Sequence, residues 1–118
     1  MTRTEKLVEE IKNEILGKEY NLSLVFISKN KIKFLNNKYR KKNEATDILS
    51  FSLDKNLGEI FICKEIAKAK SIKFEMSPNN YLLFLVIHGI LHLKGFVHSV
   101  KMESNELKYY SRYRHRHL

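Results

Sequence analysis

Between Asn80 and Leu93 apolar side chains recur nearly all round the helical cycle. A helix with that pattern has no polar face to give to water, so it must be the buried centre of the fold. Ser77-Pro78 supplies its start: a serine cap, then a proline whose fixed φ suits the first helical position. Gly95 supplies its stop, because glycine enters the left-handed conformation that ends helices at little steric cost. The rest of the 118-residue chain has to be arranged around residues 79–94.

Two histidines, His88 and His92, sit inside this apolar stretch. Residues four apart on a helix lie one above the other on the same face, so both imidazoles can reach a single point. A turn at Gly95 can bring His98 to that same point. A buried imidazole is costly unless it is hydrogen-bonded or metal-bound. A lone core histidine is ordinarily a hydrogen-bonded packing residue, but three in this register around a glycine turn point to a metal. Three imidazoles with a fourth position open make a catalytic zinc site, although copper and nickel also accept such a set. The spacing matches the metalloprotease pattern H-E-x-x-H-x-x-G-x-x-H except at Gly89, where the protease has its glutamate base. Peptide hydrolysis is therefore disfavoured, and a reaction that needs mainly an activated water and a polarised oxygen stays open.

Length and composition bound the rest. The chain is long enough for one core and too short for two, so residues 1–118 are expected to form a single domain. No apolar run reaches membrane-spanning length, and the N-terminus lacks a secretory core, which together predict a soluble, cytoplasmic protein without membrane association. Cys63 is the only cysteine, so neither an intrachain disulfide nor a cysteine metal cluster can form, and it reads as a small buried residue. The net charge of +9 speaks of partners, and nucleic acid is the commonest polyanion that a basic domain meets.

The pattern predicts a first helix over 4–16, with Leu7, Ile11 and Ile15 as its stripe, then a strand over Leu22–Ser28. A second helix is expected from an Asn30 cap through Tyr39. Lys29 to Lys42 holds basic residues and no acid, mostly as a solvated face. Leu49, Phe51 and Leu53 alternate with Ser50 and Ser52, the signature of a strand with one buried face. A turn over Asp54–Gly58, longer than the two-residue minimum, leads to a strand over Glu59–Cys63 and a helix over Lys64–Glu75. A last helix is expected over 100–116, with Met102, Leu107, Tyr110 and Tyr113 as its apolar members. Its interleaved Tyr and Arg residues suit base stacking, or equally a frayed basic end. His115 and His117 are left out of the site.

Several separated blocks resemble one family. His88-Gly89-x-Leu91-His92-Leu93-x-Gly95-x-x-His98, with Leu35-Asn36-x-x-Tyr39-Arg40, Thr46-Asp47-Ile48-Leu49-Ser50-Phe51 and Leu57-Gly58-Glu59-Ile60, is similar to the YbeY family of bacterial zinc-dependent endoribonucleases. The likeness covers most of residues 30–105. It implies an α+β fold, a small mixed sheet packed against helices with the metal site on the central helix and the turn after it. It implies zinc on His88, His92 and His98, with Arg40 as the functionally important arginine. The substrate would be single-stranded ribosomal RNA, in 16S 3′-end maturation and ribosome quality control, with ribosome or ribosomal proteins as partners. The family has an acidic residue where this chain has Val97, and aspartate where it has Glu59. The chain is also shorter around Asp54–Leu57. Loss of the carboxylate at Val97 is expected to spare zinc binding and to lower the rate. A non-catalytic RNA- or ribosome-associated factor with a structural zinc is the competing reading.

Overall fold

The computed structural model describes residues 1–116. In chain order its elements are α1 (Arg3–Ile15), β1 (Asn21–Phe26), α2 (Lys29–Arg40), β2 (Ile48–Asp54), β3 (Leu57–Ile62), α3 (Lys64–Lys73), α4 (Pro78–Lys94) and α5 (Val100–Tyr113). Helix α4 begins as its sequence requires. The Ser77 hydroxyl accepts the Asn80 N–H at 3.1 Å, and Pro78 fills the first turn, where its missing N–H has no role. It ends at Gly95 with φ +111°, the left-handed region. Leu83, Ile87 and Ile90 on α4 are wholly buried. Each contributes roughly 1.5–3 kcal/mol relative to exposure.

The sheet has the order β1-β3-β2, with β3 parallel to β1 and antiparallel to β2. Helices cover both of its faces, giving an α+β fold with a small mixed sheet. On one face Ile60 and Ile62 join Leu83, Ile87 and Ile90, together with Leu7 and Ile11 of α1 and Met102 of α5. On the other, Leu49 and Cys63 pack against Ile32 of α2 in a smaller cluster. Cys63 is buried and unpaired, as its context predicts.

Helix α4 lies directly on the sheet at Gly89. A β-carbon there would come within 2.9 Å of Ile48 Cδ1 and 3.0 Å of both Ile60 Cδ1 and Ser50 Oγ. The position that carries glutamate in the metalloprotease pattern is therefore pressed against β2 and β3 and is not among the residues that line the cleft. A glutamate here would have to displace these side-chain ends, which counts against the proteolytic reading beside the missing base.

Several expected boundaries shift. The strand over Leu22–Ser28 stops at Phe26 because Ser28, not Asn30, caps α2, its hydroxyl accepting the Lys31 N–H at 3.2 Å. The hairpin loop is only Lys55-Asn56, since Leu57 already pairs with Asp54 and with Asn21. Helix α3 ends at Lys73, before Glu75, which takes φ +56°. Along β2, Leu49 is buried and Phe51 half-buried, but Leu53 is exposed. Ser50 faces α4, where a larger side chain would keep the helix away. In α5, Leu107 is 66% exposed and Glu106 only 6%, the reverse of what polarity predicts.

Helix α5 stops at Tyr113, short of residue 116, and its basic end is tied to α1. Tyr113 donates to Glu14 at 2.6 Å, Arg112 pairs with Glu14, and Arg116 forms a two-pronged contact with Glu10. These side chains hold two helices together instead of presenting themselves to bases. His115 is exposed, and His117 lies outside the described residues.

Gly89→Glu, which would complete the protease pattern, should lower stability by at least about 3 kcal/mol, since it crowds the sheet and buries an unpaired charge. Urea unfolding followed by circular dichroism measures this. A variant as stable as the parent would show that α4 can lift off the strands.

Candidate metal centre

His88 and His92 occupy successive turns of α4, and the left-handed turn at Gly95 returns the chain so that His98 meets them. One ligating nitrogen from each of the three lies within 4.8 Å of the others. Among the described residues this is the group of three whose donors converge in that way. His88 and His92 are partly buried and His98 is exposed, so the point of convergence opens toward solvent on one side.

Hydrogen bonds fix both helical rings. The Nδ1 of His92 lies 3.0 Å from the Phe96 carbonyl, which can only accept, so Nδ1 carries the proton. Burial, and secondarily the neighbouring His88, hold the His92 imidazole below the usual histidine range and favour its neutral form. Its Nε2 therefore presents a lone pair. His88 donates from Nδ1 to the Glu106 carboxylate at 2.6 Å, which turns its own Nε2 the same way. The two Nε2 atoms are 3.1 Å apart. Two lone pairs at that distance repel unless a cation, a shared proton or a metal ion, lies between them. The donor set thus fits a metal that prefers imidazole nitrogen.

Glu106 was not legible as a site residue. It lies one helical turn after Met102, on the buried stripe of α5, and that placement is the only signal it gives. A carboxylate behind a ligating histidine fixes the ring and raises its basicity. On the other side of His88, the Phe84 ring stacks at 6.1 Å between centroids.

The histidines open onto a cleft of about 940 Å³, whose lining also includes Arg40, Lys42, Glu44, Lys70 and Val97. Arg40 donates from Nη2 to the Ser50 carbonyl at 2.7 Å, and its guanidinium lies over the Phe51 ring at 5.1 Å. Its orientation is thereby set while its remaining N–H groups stay exposed. Val97 stands at the cleft 71% exposed, with no packing role that would explain a valine. Glu59, in mid-β3, does not line the cleft. Asp47 is buried nearby, accepting from the Tyr81 hydroxyl at 2.8 Å and pairing with Lys70 at 3.5 Å. Burial and then Asp47 push the Tyr81 hydroxyl well up, so it stays a donor.

Glu106→Gln should weaken metal affinity by about 10- to 100-fold while the fold persists. Competition against a chromophoric chelator checks this. An unchanged affinity would reduce Glu106 to a packing residue.

The chain matches the family model described as Endoribonuclease YbeY over residues 1–115. It is 35% identical over 116 residues to the Endoribonuclease YbeY of Thermosipho melanesiensis, covering 92% of this chain and 84% of that one. It is 43% identical over 100 residues to that of Phytoplasma australiense, covering 76% and 69%. A solution structure of a Thermotoga maritima protein superposes with a TM-score of 0.68 at 32% identity, over 96% of this chain and 82% of that one. The likeness extends through α1 and α5, beyond the motif-bearing residues 30–105. With that extent of agreement in sequence and fold, the chain belongs to the YbeY family.

Proposed function

We propose that this protein is a zinc-dependent endoribonuclease that cuts single-stranded RNA in the cleft beside His88, His92 and His98. The observation that carries this is the 3.1 Å approach of two oriented Nε2 atoms, with a third imidazole beside them, in a cleft that also holds Arg40. The relatives named as endoribonucleases support RNA as the substrate. When bound, zinc would supply Lewis acidity toward a phosphoryl oxygen and an attacking water.

The side chains supply the rest. His88, held by Glu106, and His92, held by the Phe96 carbonyl, offer fixed lone pairs. His98 completes the set from the loop. Arg40 is kept in place by Ser50 and Phe51, and its free N–H groups would hold a phosphate oxygen as negative charge accumulates. Ribosomal RNA is the substrate we favour, in 3′-end maturation and ribosome quality control, with ribosomal components as partners and the cytoplasm as the setting. No helix among the described residues is long and apolar enough to cross a membrane.

Exposed Val97 favours a second reading, a non-catalytic RNA- or ribosome-associated factor in which zinc is structural. The two separate in one experiment: cleavage of a defined single-stranded ribosomal RNA fragment, with bound zinc quantified. His92→Ala should abolish cleavage and lose zinc. Arg40→Ala should keep zinc and fold but lose about 10²–10³ in rate. Val97→Asp should cleave faster than the parent. Stoichiometric zinc without cleavage in the parent and in Val97→Asp would establish the second reading.

A further inference from the structure

A second concavity, of about 350 Å³, lies between the first turn of α2 and the exposed face of α3. Lys29, Lys70 and Lys73 line it, with Ile66 and Ala69 as its floor and Glu65 as its one acid. Lys70 also lines the cleft beside the histidines, so the two concavities share one lysine side chain. Its ammonium is anchored. Buried Asp47 holds it at 3.5 Å, and Asp47 is itself fixed by the Tyr81 hydroxyl. The contact is an ion pair, and the Lys70 side chain remains 44% exposed.

The electrostatics on the far side agree in sign. Lys29 opens α2, whose first turn carries no acidic residue, so the positive end of the helix dipole adds to its charge. Lys73 lies in the last turn of α3. A run of cations spaced along a groove, with an apolar floor, suits a polyanion whose charges repeat along a flexible backbone.

We infer that the α2–α3 groove is a track for the backbone of a single-stranded RNA whose neighbouring segment occupies the metal cleft, with Lys70 as the junction. This rests on the reading of the cleft as an RNA site. It assigns Lys29 and Lys73 to phosphates away from the scissile bond, where they add affinity and set strand direction but take no part in the chemistry. Glu65, on the same wall, leaves room for a ribose hydroxyl or base amine donor and disfavours a phosphate at its own position.

The test is binding of labelled oligouridine strands of increasing length to the zinc-loaded protein, read by fluorescence anisotropy before appreciable cleavage, across a salt series. The variants are Lys29→Ala/Lys73→Ala and, as a control of equal charge loss, Lys6→Ala/Lys108→Ala on α1 and α5, outside both concavities. The track variant should bind long strands several-fold more weakly. Its log–log salt dependence should be shallower by about 1.4, at roughly 0.7 for each phosphate that is no longer neutralised. The control should match the parent. Equal weakening in both double variants, or in neither, would overturn the track. Parental cleavage with an unchanged salt slope in the track variant would sink the track and leave the nuclease reading intact. Length-dependent binding without parental cleavage, with the slope change present, would do the reverse.

Discussion

The distance between α4 and the sheet is set at Gly89, and the candidate metal centre inherits it. With no β-carbon at that position, the helix lies directly on Ile48, Ser50 and Ile60. His88 and His92, one residue before and three after, are then carried at a fixed height beside the edge of β2, where Arg40 is held by the Ser50 carbonyl. A larger residue at 89 would raise the helix and separate the two halves of the cleft. Close packing transmits such a shift because interiors are dense and yield little. The same contact crowds the position at which the metalloprotease pattern carries its base.

Ser50 shows how a residue can belong to both packing and site. Its side chain faces α4 and lets the helix approach, with its hydroxyl 3.5 Å from the Gly89 carbonyl. Its own carbonyl turns outward to fix Arg40 at 2.7 Å. Asp47 does the same a few residues earlier: its carbonyl receives the Cys63 N–H in the ladder region, while its carboxylate is fixed by Tyr81 and holds Lys70. The segment from Asp47 to Phe51 therefore sets two of the cleft's cationic groups, Arg40 and Lys70, through backbone and buried side chains. Little of that set depends on surface ion pairs, which salt would screen.

Much of this was legible from local chemistry. The Ser77-Pro78 start, the Gly95 stop, the stripe of Leu7, Ile11 and Ile15, and the convergence of His88, His92 and His98 all follow from spacing and backbone preference. What stayed hidden depends on partners distant in the chain. Glu106 reads as a solvated residue beside an apolar Leu107, yet burial selects the carboxylate because His88, on another helix, offers a donor at 2.6 Å. Nothing local to α5 specifies that exchange. Ser28 likewise reads as the end of a strand, and only pairing of β1 with β3 decides where the strand stops and the cap begins. Arg112 and Arg116 look available to nucleic acid until α1 is seen to supply Glu14 and Glu10.

Glu106 also bears on what a valine at 97 would mean for a metal-assisted reaction in the cleft. A carboxylate near a histidine metal site has two separable jobs: it can orient and polarise a ligand from behind, or take a proton at the open face. Glu106 is placed for the first, buried and 2.6 Å from the far nitrogen of His88. A hydrogen bond of that kind, to an ionised group, is worth about 1.5–3 kcal/mol, enough to hold the ring in one orientation. Val97 is 71% exposed at the cleft, on the face where only the second job could be done. The architecture therefore separates the place from which a metal ligand would be oriented from the face at which a proton would be moved. A valine at 97 does not touch the His88–Glu106 contact, and for a reaction in the cleft a proton acceptor would have to come from solvent, from substrate, or from Glu44, the one carboxylate among the described residues that line the cleft.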